Sequence, residues 1–265
     1  MRQVVFALLI LLTLCSLAVA DEWHKTYTVS GVPSLMLRAG DGHLQITAWD
    51  QKAISAEVIT EGYKIGPDDV RIEERQTGDE VSIEVRVPHG HWCIGYCRQS
   101  IHVELKVPRE SKLDLRTSDG GIDGSDLRGD LNINTGDGHI ELYRLDGKLR
   151  AHSNDGHITV QGRFDALDLR TSDGSIHAEV EAGSKIASGW TAHSGDGSIH
   201  LRLPENFAAD LFASTGDGSI NVELPLLMSG NVSRRTVHGK LNGGGPLLEV
   251  HTGDGSIEIS KEISK

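Results

Sequence analysis

Apolar and polar residues alternate along most of the chain, in short runs that meet at Asp-Gly dipeptides. Counted from the Asp, positions −6 and −4 are apolar, as at Leu113 and Leu115, and position +3 is always apolar, as at Ile122. Position −2 is usually Thr or Ser. Alternation with a period of two residues predicts β-strands with one buried face. Two strands of about five residues each are therefore predicted to flank every Asp-Gly pair.

Asp-Gly pairs stand at eight equivalent places between these strands. Asp can hydrogen-bond the backbone just beyond itself, and Gly accepts a positive φ, so each pair is predicted to build a tight structural turn or corner. The predicted turn residues are Asp41, Gly42, Asp119, Gly120, Asp137, Gly138, Asp155, Gly156, Asp173, Gly174, Asp196, Gly197, Asp217, Gly218, Asp254 and Gly255.

The repeat itself points to the fold class. The step between the pairs at Asp119, Asp137, Asp155 and Asp173 is 18 residues, and the 37-residue gap before Asp254 can be split by a degenerate unit at His238-Gly239. Residues 111–260 then hold about eight coils, and self-similarity of this kind is typical of repeat architectures. We predict an all-β chain in which two-strand coils stack as a β-solenoid, with like side chains in ladders. The alternative is an antiparallel hairpin meander or sandwich, since Asp-Gly between alternating strands is also a hairpin signal.

The chain is predicted to have three parts. Arg2, an apolar run at residues 4–14 and the small residues 18–20 are typical of a secretory signal peptide over residues 1–20. Residues 21–110 hold looser strand-like runs and are predicted to form an irregular β region that caps the repeats. Residues 111–265 form the Asp-Gly β-repeat region, continuous with the part before it. The mature chain, without a membrane span, is expected to be periplasmic or secreted.

Composition narrows the class of partner. The formal charge is −12, and only 5% of the residues are aromatic. Nucleic acid is therefore not expected as a partner, because an acidic surface repels phosphates and few rings are present for base stacking.

Two cysteines, Cys93 and Cys97, lie in the segment H-G-H-W-C-I-G-Y-C. In an exported protein such a pair is expected to form a local disulfide. The neighbouring His89 and His91 leave a four-ligand metal site open as an alternative, and a free thiol pair is another.

No metal site, cofactor or catalytic residue is predicted elsewhere. A stacked row of Asp would attract a cation, but the chain lacks the repeated glycines that supply carbonyl ligands in calcium-binding β-rolls. The histidines, as at His152, His193 and His43, occupy outward positions and are interpreted as solvated face residues. Neither a G-x-S-x-G elbow nor an H-E-x-x-H motif is present. The chain is expected not to be an enzyme, with a polysaccharide-active β-helix enzyme as the alternative.

Several stretches carry a family resemblance. They are I-H-V-E-L-K-V-P at 101–108, the following L-D-L-R-T-S-D-G-G-I, the serial T-G-D-G-x-I units, and G-K-L-N-G-G-G-P with the closing T-G-D-G-S-I-E-I. With them the chain resembles the bacterial "putative adhesin" family, domain of unknown function 4097, a β-strand repeat domain. The resemblance implies an exported β-helix-like domain and offers no catalytic residues.

We therefore expect an exported, non-enzymatic scaffold or binding module that acts through the flat polar faces of its coils. The expected partner is an envelope or extracellular protein or a glycan. The alternative is a cell-envelope structural or stress-related protein that self-associates end to end.

Overall fold

The computed structural model describes residues 20–87, 99–228 and 233–262, and these residues form β-strands without any helix. In chain order the strands are β1 Ala20–Thr28, β2 Ser34–Ala39, β3 His43–Trp49, β4 Ala53–Glu61, β5 Arg71–Thr77, β6 Glu80–Arg86, β7 Ser100–Pro108, β8 Glu110–Arg116, β9 Ile122–Ser125, β10 Arg128–Asn134, β11 Ile140–His152, β12 Ile158–Thr171, β13 Ile176–Val180, β14 Trp190–Ser194, β15 Ile199–Leu203, β16 Ala209–Thr215, β17 Ile220–Val222, β18 Leu226–Met228, β19 Thr236–Leu241, β20 Leu247–Thr252 and β21 Ile257–Lys261. Since no described residue is helical, none of them belongs to a helix that could cross a membrane.

The strands on the two sides of an Asp-Gly pair lie in different layers. Around Asp119, for example, β8 pairs in parallel with β10, whereas β9 pairs in parallel with β11. A hairpin would instead have paired β8 with β9 in antiparallel fashion. The predicted β-solenoid is therefore confirmed, and the meander alternative is wrong.

Two layers result, one on each side of the row of corners. Layer 1 holds the strands before each Asp-Gly pair together with further strands at its ends, in the order β5, β6, β2, β8, β10, β11, β12, β14, β20, β16, β19, β18. Layer 2 holds the strands after each pair together with β1, β4 and β7 at one end, in the order β1, β4, β7, β3, β9, β11, β12, β13, β15, β21, β17. The long strands β11 and β12 bend and take part in both layers.

The coils do not stack in the order of the sequence. The unit around Asp41 (β2 and β3) lies between β6/β7 and β8/β9, which follow it in the chain. At the other end, the last unit, around Asp254 (β20 and β21), lies between the units of Asp196 and Asp217. Near each end of the solenoid, a unit that is distant in the sequence is thus inserted between two others.

Antiparallel strands flank this stack at both ends. β4 pairs with β7 and β1, and β5 pairs with β6. β19 pairs with β16, which corrects the prediction of a degenerate coil there. His238 and Gly239 lie inside β19 rather than at a corner, since the apolar side chains of Val237 and Leu241 cover the end of the core.

The core is a thin apolar sheet between the two layers. Its layer 1 side is formed by side chains at positions −6 and −4, and its layer 2 side by those at +3 and +5. Leu115, Ile133, Ile122, Ile140 and Ile158 are all 0% exposed. Because the same two positions are buried in every coil, the outward positions form continuous columns across each layer.

Candidate functional site

The structure places all eight predicted Asp-Gly pairs at corners between the two layers. Every Asp of these pairs is exposed, and every Gly except Gly218 is buried. Asp217 accepts a hydrogen bond from Arg235 Nη2 at 3.1 Å. The pairs thus form an acidic outer row backed by a buried row of glycines.

The reason for glycine at the corner differs from the one predicted. None of these eight glycines has the positive φ that was expected of them. Instead, a Cβ on Gly156 would lie 1.9 Å from the carbonyl oxygen of Gly138 in the neighbouring coil, and one on Gly138 would lie 2.1 Å from that of Gly120. Glycine is required because neighbouring backbones meet here with no room for a side chain.

A buried column of hydroxyls at position −2 fastens the corners to one another. Thr135 Oγ1 donates to the carbonyl of Gly120 at 2.9 Å, and Ser153 Oγ donates to that of Gly138 at 2.9 Å. The same contact is made by Thr117 on Gly42, Thr171 on Gly156, Ser194 on Gly174, Thr252 on Gly197 and Thr215 on Gly255. The periodic Thr or Ser was visible in the sequence, but its role needed the contact between coils.

The predicted disulfide concerns Cys93 and Cys97, which lie outside the described residues. The same holds for His89, His91 and the segment predicted as a signal peptide up to residue 19.

The outer face of layer 1 carries mixed charges that are largely paired. Five neighbouring coils present Asp114, Asn132, Arg150, Asp168 and Thr191 in one column. Asp168 is 2.8 Å from Arg170 Nε and 3.5 Å from Arg150 Nε, and Asn132 donates to Asp114 at 2.9 Å.

A depression of about 380 Å³ lies on this face, beside the loop between β13 and β14. Ala166 and Gly189 line it, and Ala166 pairs with Lys148 of the neighbouring coil, so a small side chain leaves space where that coil carries a long one. Its polar lining is contributed by Asp130, Asn132, Lys148, Arg150, Asp168, Ser188 and Thr191. Lys148 and Arg150 are 62% and 67% exposed, so their charged groups remain available to a ligand.

The outer face of layer 2 is rich in histidine and carboxylate. Burial lowers the pKa of His43, against the opposing effect of Asp123. Burial also raises the pKa of Glu57, as do the neighbouring carboxylates of Glu22 and Glu104. This face is therefore chemically distinct from layer 1 and offers ligands of the kind that metals use.

The inserted units bring histidines together that are far apart in the chain. The rings of His43 and His102 stack with their centroids 5.2 Å apart, and those of His193 and His251 lie 5.0 Å apart. Burial lowers the pKa of His193, with smaller contributions from His251 and Arg170. These pairs could not be predicted from sequence order, because their members are far apart in the chain. Their shared repeat positions, such as −3 for His193 and His251, did indicate that they could lie in one column.

Comparisons with known proteins agree with the repeat architecture. Residues 161–260 match the model of the Toastrack DUF4097 family. A search of curated proteins finds no match.

Solved structures that resemble the chain include three from the genera Clostridium, Bacteroides and Parabacteroides. A "putative cell adhesion protein" from Clostridium sporogenes is 15% identical, with a TM-score of 0.41, and covers 92% of this chain and 100% of its own. A "putative adhesin" from Bacteroides fragilis is 14% identical, with a TM-score of 0.46 and coverages of 91% and 97%. A "putative lipid binding protein" from Parabacteroides distasonis is 13% identical, with a TM-score of 0.40 and coverages of 90% and 96%.

The family resemblance expected from the serial Asp-Gly units is confirmed where the family model matches. Residues 161–260, in the repeat region of this β-solenoid, are similar to the Toastrack DUF4097 family.

Proposed function

We propose that the protein is an exported, non-enzymatic binding module that holds an extended glycan against the outer face of layer 1. The observation that carries the proposal is the polar depression beside Ala166 and Gly189. It continues into columns of outward side chains that cross several coils.

The spacing of the coils suits a polymer. Neighbouring strands lie about 4.8 Å apart, so a chain that runs along the stack meets one new set of side chains at each coil. Asn132, Arg150 and Asp168 come from three successive coils of one column. Together they offer amide, guanidinium and carboxylate groups, which can donate to and accept from hydroxyl groups.

The charge at the depression favours a neutral, hydroxyl-rich ligand. Its two bases, Lys148 and Arg150, are matched by two acids, Asp130 and Asp168. Lys148 Nζ lies 3.6 Å from Asp130, and Arg150 Nε lies 3.5 Å from Asp168. These ion pairs are exposed and cost little to rearrange, so they can exchange with ligand hydroxyls.

The same contacts support a binding role over catalysis. A glycosidase needs two carboxyl groups that flank one bond, one of them free to act as an acid. Here Asp130 and Asp168 lie two coils apart, and each is paired with a base from the coil between them rather than facing the other carboxyl group.

The test compares two double variants that remove equal charge from opposite layers. Lys148→Ser with Arg150→Ser removes both bases of the depression, whereas Lys106→Ser with Arg202→Ser removes two bases from the outer face of layer 2. The mature chain is co-sedimented with insoluble cellulose, β-glucan and chitin, which are neutral polymers. We expect wild-type protein to bind at least one of these polymers, and the layer 1 variant to bind about tenfold more weakly, which corresponds to a loss of about 1.4 kcal/mol.

The layer 2 variant should bind like wild type. Equal weakening in both variants, or no binding to any polymer, would overturn the proposal. The polymer-free controls also report on self-association, which the exposed Leu227 and Met228 of β18 favour as a second candidate function. It would appear as sedimenting mass that rises with protein concentration.

A further inference from the structure

We propose that layer 2 carries a binding site for one divalent transition-metal ion of the zinc class, formed by His43, Asp123 and His139. The site lies on the face opposite the proposed glycan surface and is independent of it. The sequence analysis predicted no metal site, because it could not show that units distant in the sequence are neighbours in the stack.

The stacking order creates the site. β3 lies between β7 and β9, so His43 is placed beside His102 on one side and beside Gly121 on the other. The backbone of Gly121 is in turn followed by His139 of the next coil, since Ile122 pairs with Ile140. His43 and His139, which are 96 residues apart in the chain, therefore face each other across Gly121.

Gly121 provides the space in which the rings converge. A Cβ at this position would lie 2.4 Å from Cε1 of His139, so the His139 ring occupies the volume that a side chain would fill. The ring centroids of His43 and His139 are 6.0 Å apart across this gap. Within this column, His43 and His139 thus flank the gap left by Gly121, while His102 and His157 lie beyond them.

Asp123 lies beneath both rings and faces them with its carboxylate. His43 Nε2 is 3.1 Å from Asp123 Oδ2, and His139 Nε2 is 3.3 Å from Asp123 Oδ1. One ligand atom from each of the three residues lies within 4.8 Å of the other two. In a tetrahedral zinc site with bonds of about 2.0–2.2 Å, ligand atoms lie about 3.3–3.5 Å apart, and the two nitrogen–oxygen distances, 3.1 and 3.3 Å, lie close to this range.

An orphaned oxygen points independently to a missing ligand. Asp123 Oδ1 is buried and has no hydrogen-bond partner among the described residues, although His139 Nε2 is close to it. A buried carboxylate oxygen without a partner is costly, whereas a cation placed between it and the two imidazoles would satisfy all three groups.

The donor set selects the class of metal. Two imidazole nitrogens and one carboxylate suit zinc and its neighbours in the first transition row, whereas calcium and magnesium prefer oxygen alone. His43 and Asp123 are half-buried and His139 is exposed, so solvent can supply the fourth ligand.

The test measures zinc binding to the metal-free mature chain by equilibrium dialysis at pH 7.5. We expect about one zinc per chain, and the same in a Cys93→Ser/Cys97→Ser background, which removes the cysteine pair as a competing site. In that background, Asp123→Asn or His139→Gln should weaken binding by more than the roughly 10- to 100-fold that loss of a partner behind a ligand causes.

Two further variants separate the ligand geometry from general effects on the face. Gly121→Ala keeps all three ligands but pushes the His139 ring aside, so zinc affinity should fall while the circular dichroism spectrum stays unchanged. His157→Gln, which alters the next histidine of the same column, should bind zinc like wild type. Zinc binding that survives both Asp123→Asn and His139→Gln, that disappears with the cysteines alone, or that is absent from the wild type would overturn the proposal.

Discussion

Replacing Gly156 by alanine is expected to destabilise the protein by about 3 kcal/mol or more, a large effect for a single added methyl group. The new Cβ would lie 1.9 Å from the carbonyl oxygen of Gly138. That oxygen also accepts a hydrogen bond from the hydroxyl of Ser153. The backbones of two coils must therefore separate, and the buried hydrogen bonds of the corner weaken with them. The midpoint of urea unfolding, followed by circular dichroism, measures the effect.

Gly66→Ala is the matched control for this substitution. A Cβ at Gly66 meets no atom within 4 Å, and its backbone does not have a positive φ. Alanine there should leave stability unchanged or raise it by about 0.5 kcal/mol, because it restricts the unfolded chain. Equal stability of the Gly156 and Gly66 variants would contradict the close packing of the corners.

The second large effect is expected at Trp190. This side chain is 1% exposed and is the largest fully buried side chain among the described residues. Its ring packs edge-on to Phe164, with centroids 6.4 Å apart, and lies 5.2 Å from Phe207. Trp190→Ala should cost about 3–5 kcal/mol, since the cavity left between two rings cannot close. Guanidinium unfolding, followed by circular dichroism, measures the loss.

Trp190→Phe tests which part of the side chain matters. The indole Nε1 of Trp190 is buried and has no hydrogen-bond partner among the described residues. Phenylalanine keeps an aromatic ring and removes this unpaired N–H, so part of its packing loss is offset. The Phe variant should retain most of the wild-type stability, and equal losses in the Ala and Phe variants would show that ring packing is not what stabilises this part of the core.

The sequence was sufficient to predict the strands and their layers. Alternation placed Leu113, Leu115 and Ile122 on the core side, and the structure buries all three. The Asp-Gly pairs indicated the corners because the alternation of buried and exposed residues is interrupted at each pair. The close contact between the backbones of neighbouring coils could not be predicted from alternation. The requirement for glycine at the corners was therefore assigned to a positive φ rather than to this contact.

The stacking order could not be predicted, and the candidate sites depend on it. The apolar positions are nearly the same in every unit, so the buried residues alone do not determine which two coils become neighbours. At the ends of the stack, antiparallel strands such as β4 on β7 and β19 on β16 occupy the edges to which another coil would otherwise add. The columns that form the glycan surface lie in the regular middle of the stack, whereas the His43, Asp123 and His139 site requires the inserted unit.

Insertion of distant units sets the order of the coils, and a pair of engineered cysteines can report that order. His193 lies beside His251 in the parallel pair of β14 and β20, whereas Ser214 lies one strand further, beside His251. In a Cys93→Ser/Cys97→Ser background, we predict that His193→Cys with His251→Cys forms a disulfide, because neighbouring strands lie within the Cα separation that a disulfide spans. His193→Cys with Ser214→Cys should stay reduced under the same oxidation. Mass spectrometry of tryptic peptides reads the result, and a 193–214 disulfide in place of 193–251 would show that the coils stack in sequence order and contradict the account.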